Sequence, residues 1–331
     1  MKKSTAFFWL SSLLFLSCAD GNPYYEERAS VFNTLYTIKY QSPEMLAEEI
    51  DAELDAVNLS LNPFNPNSII AKVNRNEDVE TDEHFRTVFN KAMEISRNSN
   101  GFFDITSAPL VNAWGFGTSK TDSVSSQMID SIRQFVGYRK VRLEGNRVIK
   151  EDPRIRLNCS AIAKGYAADA VAAMLERKGV ENYMVEIGGE VVVKGVNENG
   201  QGWRIGIRKP EEVSLNKPVA LEETIQLRKK KGIATSGDYQ NFYIKDGKKI
   251  GHTINPLTGY PAEQNILSCT IVADDCMTAD AYATALMAMG TDDAVRIADT
   301  LNEFDYYLIY ADRDGNYKIK CSVGMKKMKG A

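Results

Sequence analysis

Asp280 and Thr284 stand four residues apart in the run Thr278-Ala279-Asp280-Ala281-Tyr282-Ala283-Thr284. On a helix, positions i and i+4 project from one face, so carboxylate and hydroxyl converge on one point. The alanines around them leave that face bare. A carboxylate with a hydroxyl, the other positions being left to water or phosphate, suits a hard cation such as Mg2+. On spacing alone the commoner arrangement is plainer: an Asp and a Thr that face water or bond to backbone. A second constellation is Ser160-Ala161-Ile162-Ala163-Lys164-Gly165-Tyr166. Small residues at a helix start leave backbone N–H groups open to an anion, and Lys164 adds a compact charge suited to phosphate. Tight packing also explains an Ala-rich start.

His252 is one of only two histidines in the chain. It lies between a predicted strand and a Pro/Gly turn, in the run 251–259, where loops carry chemistry. As a base it would work near neutral pH; the alternative is a neutral ring capping the turn through a backbone hydrogen bond. The other histidine, His84, falls in the first turn of a predicted helix and reads as solvent-facing and structural. Glycines at Gly188-Gly189 and Gly237 allow close backbone approach. Neither turn has the strand–GxGxxG–helix context of a dinucleotide fingerprint, and Thr235-Ser236-Gly237-Asp238 lacks nucleophile-elbow spacing. In the run 109–117, Trp114 and Phe116 amid glycines suit stacking on a planar ring, or else anchor a buried loop.

The elements that must position these groups follow from periodicity. A strand is predicted over 29–40, and Ser42-Pro43 opens a helix with Leu46, Ile50, Leu54 and Val57 on one face. Thr81 caps a second helix bearing Phe85, Val88, Phe89 and Ala92, which ends at Asn100-Gly101. A hairpin turning at Glu144-Gly145-Asn146 leads to a strand into Leu157, and an Ala-rich helix spans 160–178. Strands follow over 183–186, 190–196, 203–208, 221–228, 242–245 and 267–273. Helices over 277–289 and 292–301 precede a closing hairpin at Asp312-Arg313-Asp314-Gly315. Strands in neighbouring runs with inserted helices give an α+β class with a mostly antiparallel sheet, as one domain of at most two lobes.

The first residues read as an export signal. Lys2 and Lys3 precede an apolar stretch, 6–16, too short to span a bilayer. Leu14-Phe15-Leu16-Ser17-Cys18 is similar to a lipobox, with Phe15 where Leu is usual, so Cys18 is expected to be lipidated. That divides the chain into a signal (1–17), a polar tether (18–28) and a domain (29–325), anchored at an extracytoplasmic membrane face. A net charge of −4 without a Lys/Arg stripe argues against nucleic acid; the densest basic run, 229–231, reads as a solvated turn. Cys159, Cys269, Cys276 and Cys321 lack zinc-site spacing and are expected to be free thiols.

In order, the chain resembles the ApbE family of bacterial flavin transferases (FAD:protein FMN transferases). The matching pieces are Phe32-Asn33-Thr34, the segment 59–68, Gly101-Phe102-Phe103-Asp104-Ile105-Thr106, and the segments 109–117, 157–169, 186–190, 234–239, 252–259 and 279–284. The resemblance implies an FAD-binding α+β fold that uses Mg2+ and transfers FMN to a threonine hydroxyl of an exported or membrane-bound redox protein, releasing AMP. It implies His252 as the base, and Asp280, Thr284 and the Ala161 carbonyl as metal ligands. Phe32, Phe64, Ala113-Trp114-Gly115, Asn158, Lys164 and Ile254 match positions lining the FAD site. The family commonly has Met at Phe32, Tyr at Phe64, and Asp at Asn158 and Asn255. A metal-dependent FAD pyrophosphatase and a non-catalytic FAD-binding lipoprotein stand as alternatives.

Overall fold

The computed structural model describes residues 21–117, 124–210, 220–237, 242–245, 248–262 and 265–329. Its strands are β1 (Tyr24–Val31), β2 (Thr34–Gln41), β3 (Val141–Glu144), β4 (Arg147–Lys150), β5 (Tyr183–Ile187), β6 (Glu190–Lys194) and β7 (Trp203–Arg208). They continue as β8 (Leu221–Leu227), β9 (Lys231–Gly237), β10 (Phe242–Lys245), β11 (Lys248–Gly251), β12 (Ile266–Ala273), β13 (Phe304–Ala311) and β14 (Tyr317–Cys321). The helices are α1 (Ala47–Leu61), α2 (Ile69–Asn74), α3 (Glu83–Asn98), α4 (Ala108–Ala113) and α5 (Ser126–Arg133). They are followed by α6 (Ala163–Arg177), α7 (Cys276–Met287), α8 (Thr291–Leu301) and α9 (Val323–Met328).

Eight strands form one antiparallel sheet in the order β1-β2-β5-β6-β9-β12-β13-β14. Alternate side chains point to opposite faces, and each face buries its own cluster. Ile38, Val185, Val192, Ala234 and Ile271 join the main core under α1, α3, α6 and α7. Val191, Val193, Ile233, Val272 and Tyr307 pack with Trp203 and Ile225 of the β7–β8 hairpin and with Met325 of α9. The expected α+β class and antiparallel sheet are therefore observed. The thinnest ladder is the β6–β9 join, with Val191, Val192 and Val193 opposite Ile233, Gly232 and Lys231.

Helix α7 carries the Asp280–Thr284 pair through the middle of the molecule. An apolar sequence on all sides is what a buried helix needs, and every α7 residue except Thr284 is buried. Its N-terminal N–H groups, which lack intrahelical partners, find carboxylates. Asp275 accepts from Thr278 N–H (2.7 Å), while Asp169 of α6 accepts from Cys276 (2.9 Å) and Met277 (2.7 Å). Backbones approach closely because two neighbours have no side chain. A Cβ on Gly165 would lie 2.4 Å from the Cys276 carbonyl oxygen, and one on Gly232 would lie 2.1 Å from the Cys276 nitrogen.

Several local expectations are corrected. The strand expected over 29–40 is the β1–β2 hairpin, turned by Phe32 and Asn33 at φ 52° and 59°, a left-handed pair with neither Gly nor Pro to announce it. Helix α1 begins at Ala47 rather than at Ser42-Pro43; Ser42 Oγ instead accepts from the Glu44 N–H (3.3 Å). Asp82, not Thr81, caps α3. No strand runs into Leu157. Gly237 ends β9, a central strand, rather than forming a free turn; of the basic run, Lys229 and Lys230 lie in the connection before β9, Lys229 exposed as expected, and only Lys231 enters the strand. Cys159, Cys269 and Cys276 are buried free thiols, as expected, whereas Cys321, also free, is only half-buried where burial was expected. Among the described residues, no helix is long and apolar enough to cross a membrane.

Candidate functional site

The start of α6 gathers three charged side chains. Lys164 Nζ lies 2.6 Å from Glu190 Oε1 and 4.0 Å from Asp280 Oδ1. The Gly165 N–H donates to Asp280 Oδ2 at 3.0 Å, so one of the helix-start donors expected to await an anion already holds a carboxylate. Asp280 and Glu190 are only 3 % and 5 % exposed. Burial opposes the charge on Lys164, but the facing Asp280 and Glu190 carboxylates outweigh it and raise its pKa. Burial and the neighbouring Asp280 push the Glu190 carboxyl up, with Lys164 opposing them. One turn beyond Asp280, Thr284 Oγ1 meets Ser236 Oγ of β9 at 3.4 Å.

Two of the expected cation ligands, Asp280 and Thr284, share α7. Thr284 is the single half-exposed position of α7. Ala161 lies in the turn 160–162 that precedes α6, which begins at Ala163 rather than Ser160. Asn158 sets that turn: its Oδ1 accepts from the Ser160 N–H (2.8 Å) and its own N–H donates to the Ile105 carbonyl (2.7 Å). This position organises backbone without needing a charge. Among the described residues no three His, Cys, Asp or Glu side chains form a metal cluster. A cation here would rest on one carboxylate, a hydroxyl and a carbonyl. That all-oxygen set fits a hard ion that keeps water or phosphate in its shell.

Beside this cluster opens a cavity of about 130 Å3 lined by Phe32, Asn33, Leu61, Asn62, Pro63, Phe64, Ser160, Ala163 and Lys164. It unites three residues expected at the FAD site, Phe32, Phe64 and Lys164. Phe64 is 56 % exposed, its ring open at the rim. Phe32 is held there by a backbone conformation that a non-glycine residue adopts at an energetic cost, which is characteristic of functional positions.

The remaining expected residues form a second group. Ala113 and Ile254 pack with Leu110, Ile129 and Val136, with Trp114 and Phe116 against them. The Trp114 indole N–H donates to the Gly259 carbonyl (2.8 Å), and its ring lies 5.7 Å from that of Tyr260. Trp114 thus anchors the 252–259 loop to α4. Gly115, exposed at φ 81°, turns the chain after it. Phe116 meets the half-buried His252 edge-on at 6.3 Å. The other histidine, His84, is half-buried with Nδ1 2.8 Å from the Tyr166 hydroxyl; it is structural as expected, though not simply solvent-facing.

Comparison with known proteins bears on the same residues. The model of the ApbE family matches residues 32–308. The chain belongs to the ApbE family. FAD:protein FMN transferase of Vibrio cholerae is 35 % identical over 318 residues, covering 92 % of this chain and 93 % of the relative. The Haemophilus influenzae protein of that name is 34 % identical, covering 89 % and 88 %. Among solved structures, the flavin transferase ApbE of Vibrio cholerae has a TM-score of 0.82 at 34 % identity, covering 92 % of this chain and 99 % of that one. The apo flavinyl transferase ApbE of Pseudomonas stutzeri also scores 0.82, at 26 % identity over 96 % and 99 %. With such relatives, this ApbE protein is a transferase and its fold is the ApbE fold.

Two carboxylates beside the candidate site escaped the sequence reading. Glu190 follows a double glycine, but no local spacing ties it to Lys164 and Asp280, which approach it through tertiary packing alone. Asp169 looks like any polar residue of an Ala-rich helix. Its carboxyl is buried against the start of α7, and burial with the nearby Asp275 pushes its pKa up to about 7. Cys18 lies outside the described residues.

Proposed function

We propose that this protein transfers the FMN part of FAD to a threonine hydroxyl of an acceptor protein and releases AMP. The carrying observation is the convergence of Lys164, Asp280 and Thr284 beside a cavity walled by Phe32 and Phe64, in a chain whose relatives are FAD:protein FMN transferases. In this reading the aromatic rings hold planar parts of FAD, and Lys164 faces its diphosphate. His252 takes the proton from the threonine hydroxyl, a poor nucleophile that gains from a base near neutral pKa. A bond forms between the threonine oxygen and the FMN phosphorus as the bond to AMP breaks. Asp280, Thr284 and the Ala161 carbonyl would hold Mg2+, which supplies charge neutralisation at the diphosphate. Trp114, by pinning Gly259, keeps the histidine loop in place.

The test is incubation with FAD, Mg2+ and a threonine-bearing redox subunit, with mass spectrometry of the acceptor. Covalent FMN on threonine, dependent on Mg2+, is the expected result. Free FMN and AMP without an adduct would replace the reading with FAD pyrophosphatase activity; bound FAD without turnover would replace it with flavin storage. We further propose that the protein is exported and lipid-anchored through Cys18, which acyl-chain labelling lost in Cys18→Ala would test.

A further inference from the structure

We propose that Glu190 is a positioning residue for the cation site: it holds the Lys164 ammonium off Asp280, so that the Asp280 carboxylate stays available to a divalent cation. The inference rests on the reading of Asp280 and Thr284 as cation ligands. Lys164 Nζ has two carboxylates within reach and sits on only one of them, 2.6 Å from Glu190 against 4.0 Å from Asp280. Remove the nearer partner, and the farther one is the only anion of this cluster to which the ammonium can turn. Asp280 would then be neutralised from within the protein, and an incoming ion would have to displace an ammonium. With Glu190 in place the three side chains sum to one negative charge, which favours a cation.

The placement of Glu190 is fixed by the fold. It opens β6 directly after Gly188 and Gly189, whose φ of 64° and 103° turn β5 into β6, and its register partner is Ile187. Its side chain is buried, and Oε2 has no hydrogen-bond partner among the described residues. A buried ion pair with an unsatisfied oxygen is a poor device for stability, because desolvation offsets the attraction. The same pair is well suited to setting the charge and reach of a lysine at the edge of a ligand site.

The test measures Mn2+ binding to the full-length protein by the loss of the free-ion EPR signal. It compares wild type, Glu190→Gln, Lys164→Met and the double variant. Glu190→Gln should weaken Mn2+ binding by about tenfold or more, a unit of charge having been removed within the cluster. FAD affinity should change by less than about threefold, because Lys164 keeps its charge. A merely structural role would instead lower Mn2+ binding, FAD binding and melting temperature together. The double variant, which restores the net charge and removes the competing ammonium, should recover Mn2+ binding to within about threefold of wild type.

Unchanged Mn2+ binding in Glu190→Gln would overturn the inference. So would a double variant as weak as the single one, since that result makes Glu190 a ligand. If wild type binds no Mn2+, the cation reading itself falls. The rate at which an amine reagent acylates Lys164 then decides the rest: a several-fold rise in Glu190→Gln sustains the hold on Lys164, and an unchanged rate refutes it.

Discussion

Replacing Gly165 by alanine tests the close join between α6 and α7. The added methyl would stand 2.4 Å from the Cys276 carbonyl oxygen, 2.7 Å from its carbon and 2.8 Å from Asp280 Cβ. Two of these atoms are backbone and cannot rotate away, so the helices must part by at least about 0.6 Å to reach even a 3.0 Å contact. That movement draws the Gly165 N–H from Asp280 Oδ2, now 3.0 Å away. Overpacking costs about 1–3 kcal/mol, and weakening a hydrogen bond to a charged group adds about 1–2 kcal/mol. Together, near 3 kcal/mol, they correspond to a fall in melting temperature of roughly 4–6 °C for a domain of this size. Scanning calorimetry reads this directly. Flavin transfer should fall by up to about 100-fold, because Asp280 and Lys164 no longer keep their relative places. A Gly165→Ala protein that melts within about 2 °C of wild type, with unaltered flavin transfer, would refute the argument.

Further outcomes are expected. His252→Ala should slow transfer by about 10²–10⁴-fold while leaving FAD affinity nearly intact, as read by single-turnover kinetics and fluorescence titration; equal loss of binding would reassign the residue. Asp169, facing Asp275 and Lys230 at the start of α7, has a folded pKa of about 7 against about 3.9 unfolded. Its contribution to stability is therefore full near pH 4, declines as pH rises, and is lost above about 7. Asp169→Asn should remove that decline in urea unfolding measured from pH 4.5 to 7.5, and a slope identical to wild type would exclude the assignment. Phe32→Asn should relieve up to about 1 kcal/mol of left-handed strain, since Asn tolerates that region better. It should also weaken FAD binding by about fivefold to tenfold through the lost ring; destabilisation with unchanged FAD affinity would contradict both halves.

Periodicity and capping made much of the fold legible. Strands β7 and β10 were located residue for residue, and α7 and α8 to within two residues, because their apolar patterns and flanking turns are strong. The Asp280–Thr284 pair was readable for the same reason, being set by one helix. What failed was governed by contacts distant in sequence. Gly237 looked like a turn residue, yet it closes β9, a central strand whose Gly232 lets α7 come close. The turn at Phe32-Asn33 has neither Gly nor Pro, Asn33 being its one turn-tolerant residue, and it closes the β1–β2 ladder. Glu190 could be read only once β6 lay beside the start of α6. The acceptor oxygen of Asn158 suffices to hold the Ser160 turn without a charge.

The three-pair join between β6 and β9 divides the polypeptide by its order of synthesis. Strands β1, β2, β5 and β6 are all made before residue 195, and β9, β12, β13 and β14 after residue 230. Lys164, Glu190 and the Phe32 cavity belong to the earlier part; Asp280 and Thr284 belong to the later. A nascent chain therefore owns the aromatic walls and the lysine long before it owns the Asp280 carboxylate, so on the proposed reading an amino-terminal fragment is expected to lack the activity. Once both parts are present, a ligand held between Lys164 and Asp280, as proposed above, would fasten the sheet where its own ladder is shortest. On that reading substrate is a clasp for the finished fold, and its binding stabilises the folded chain more as its concentration exceeds its dissociation constant.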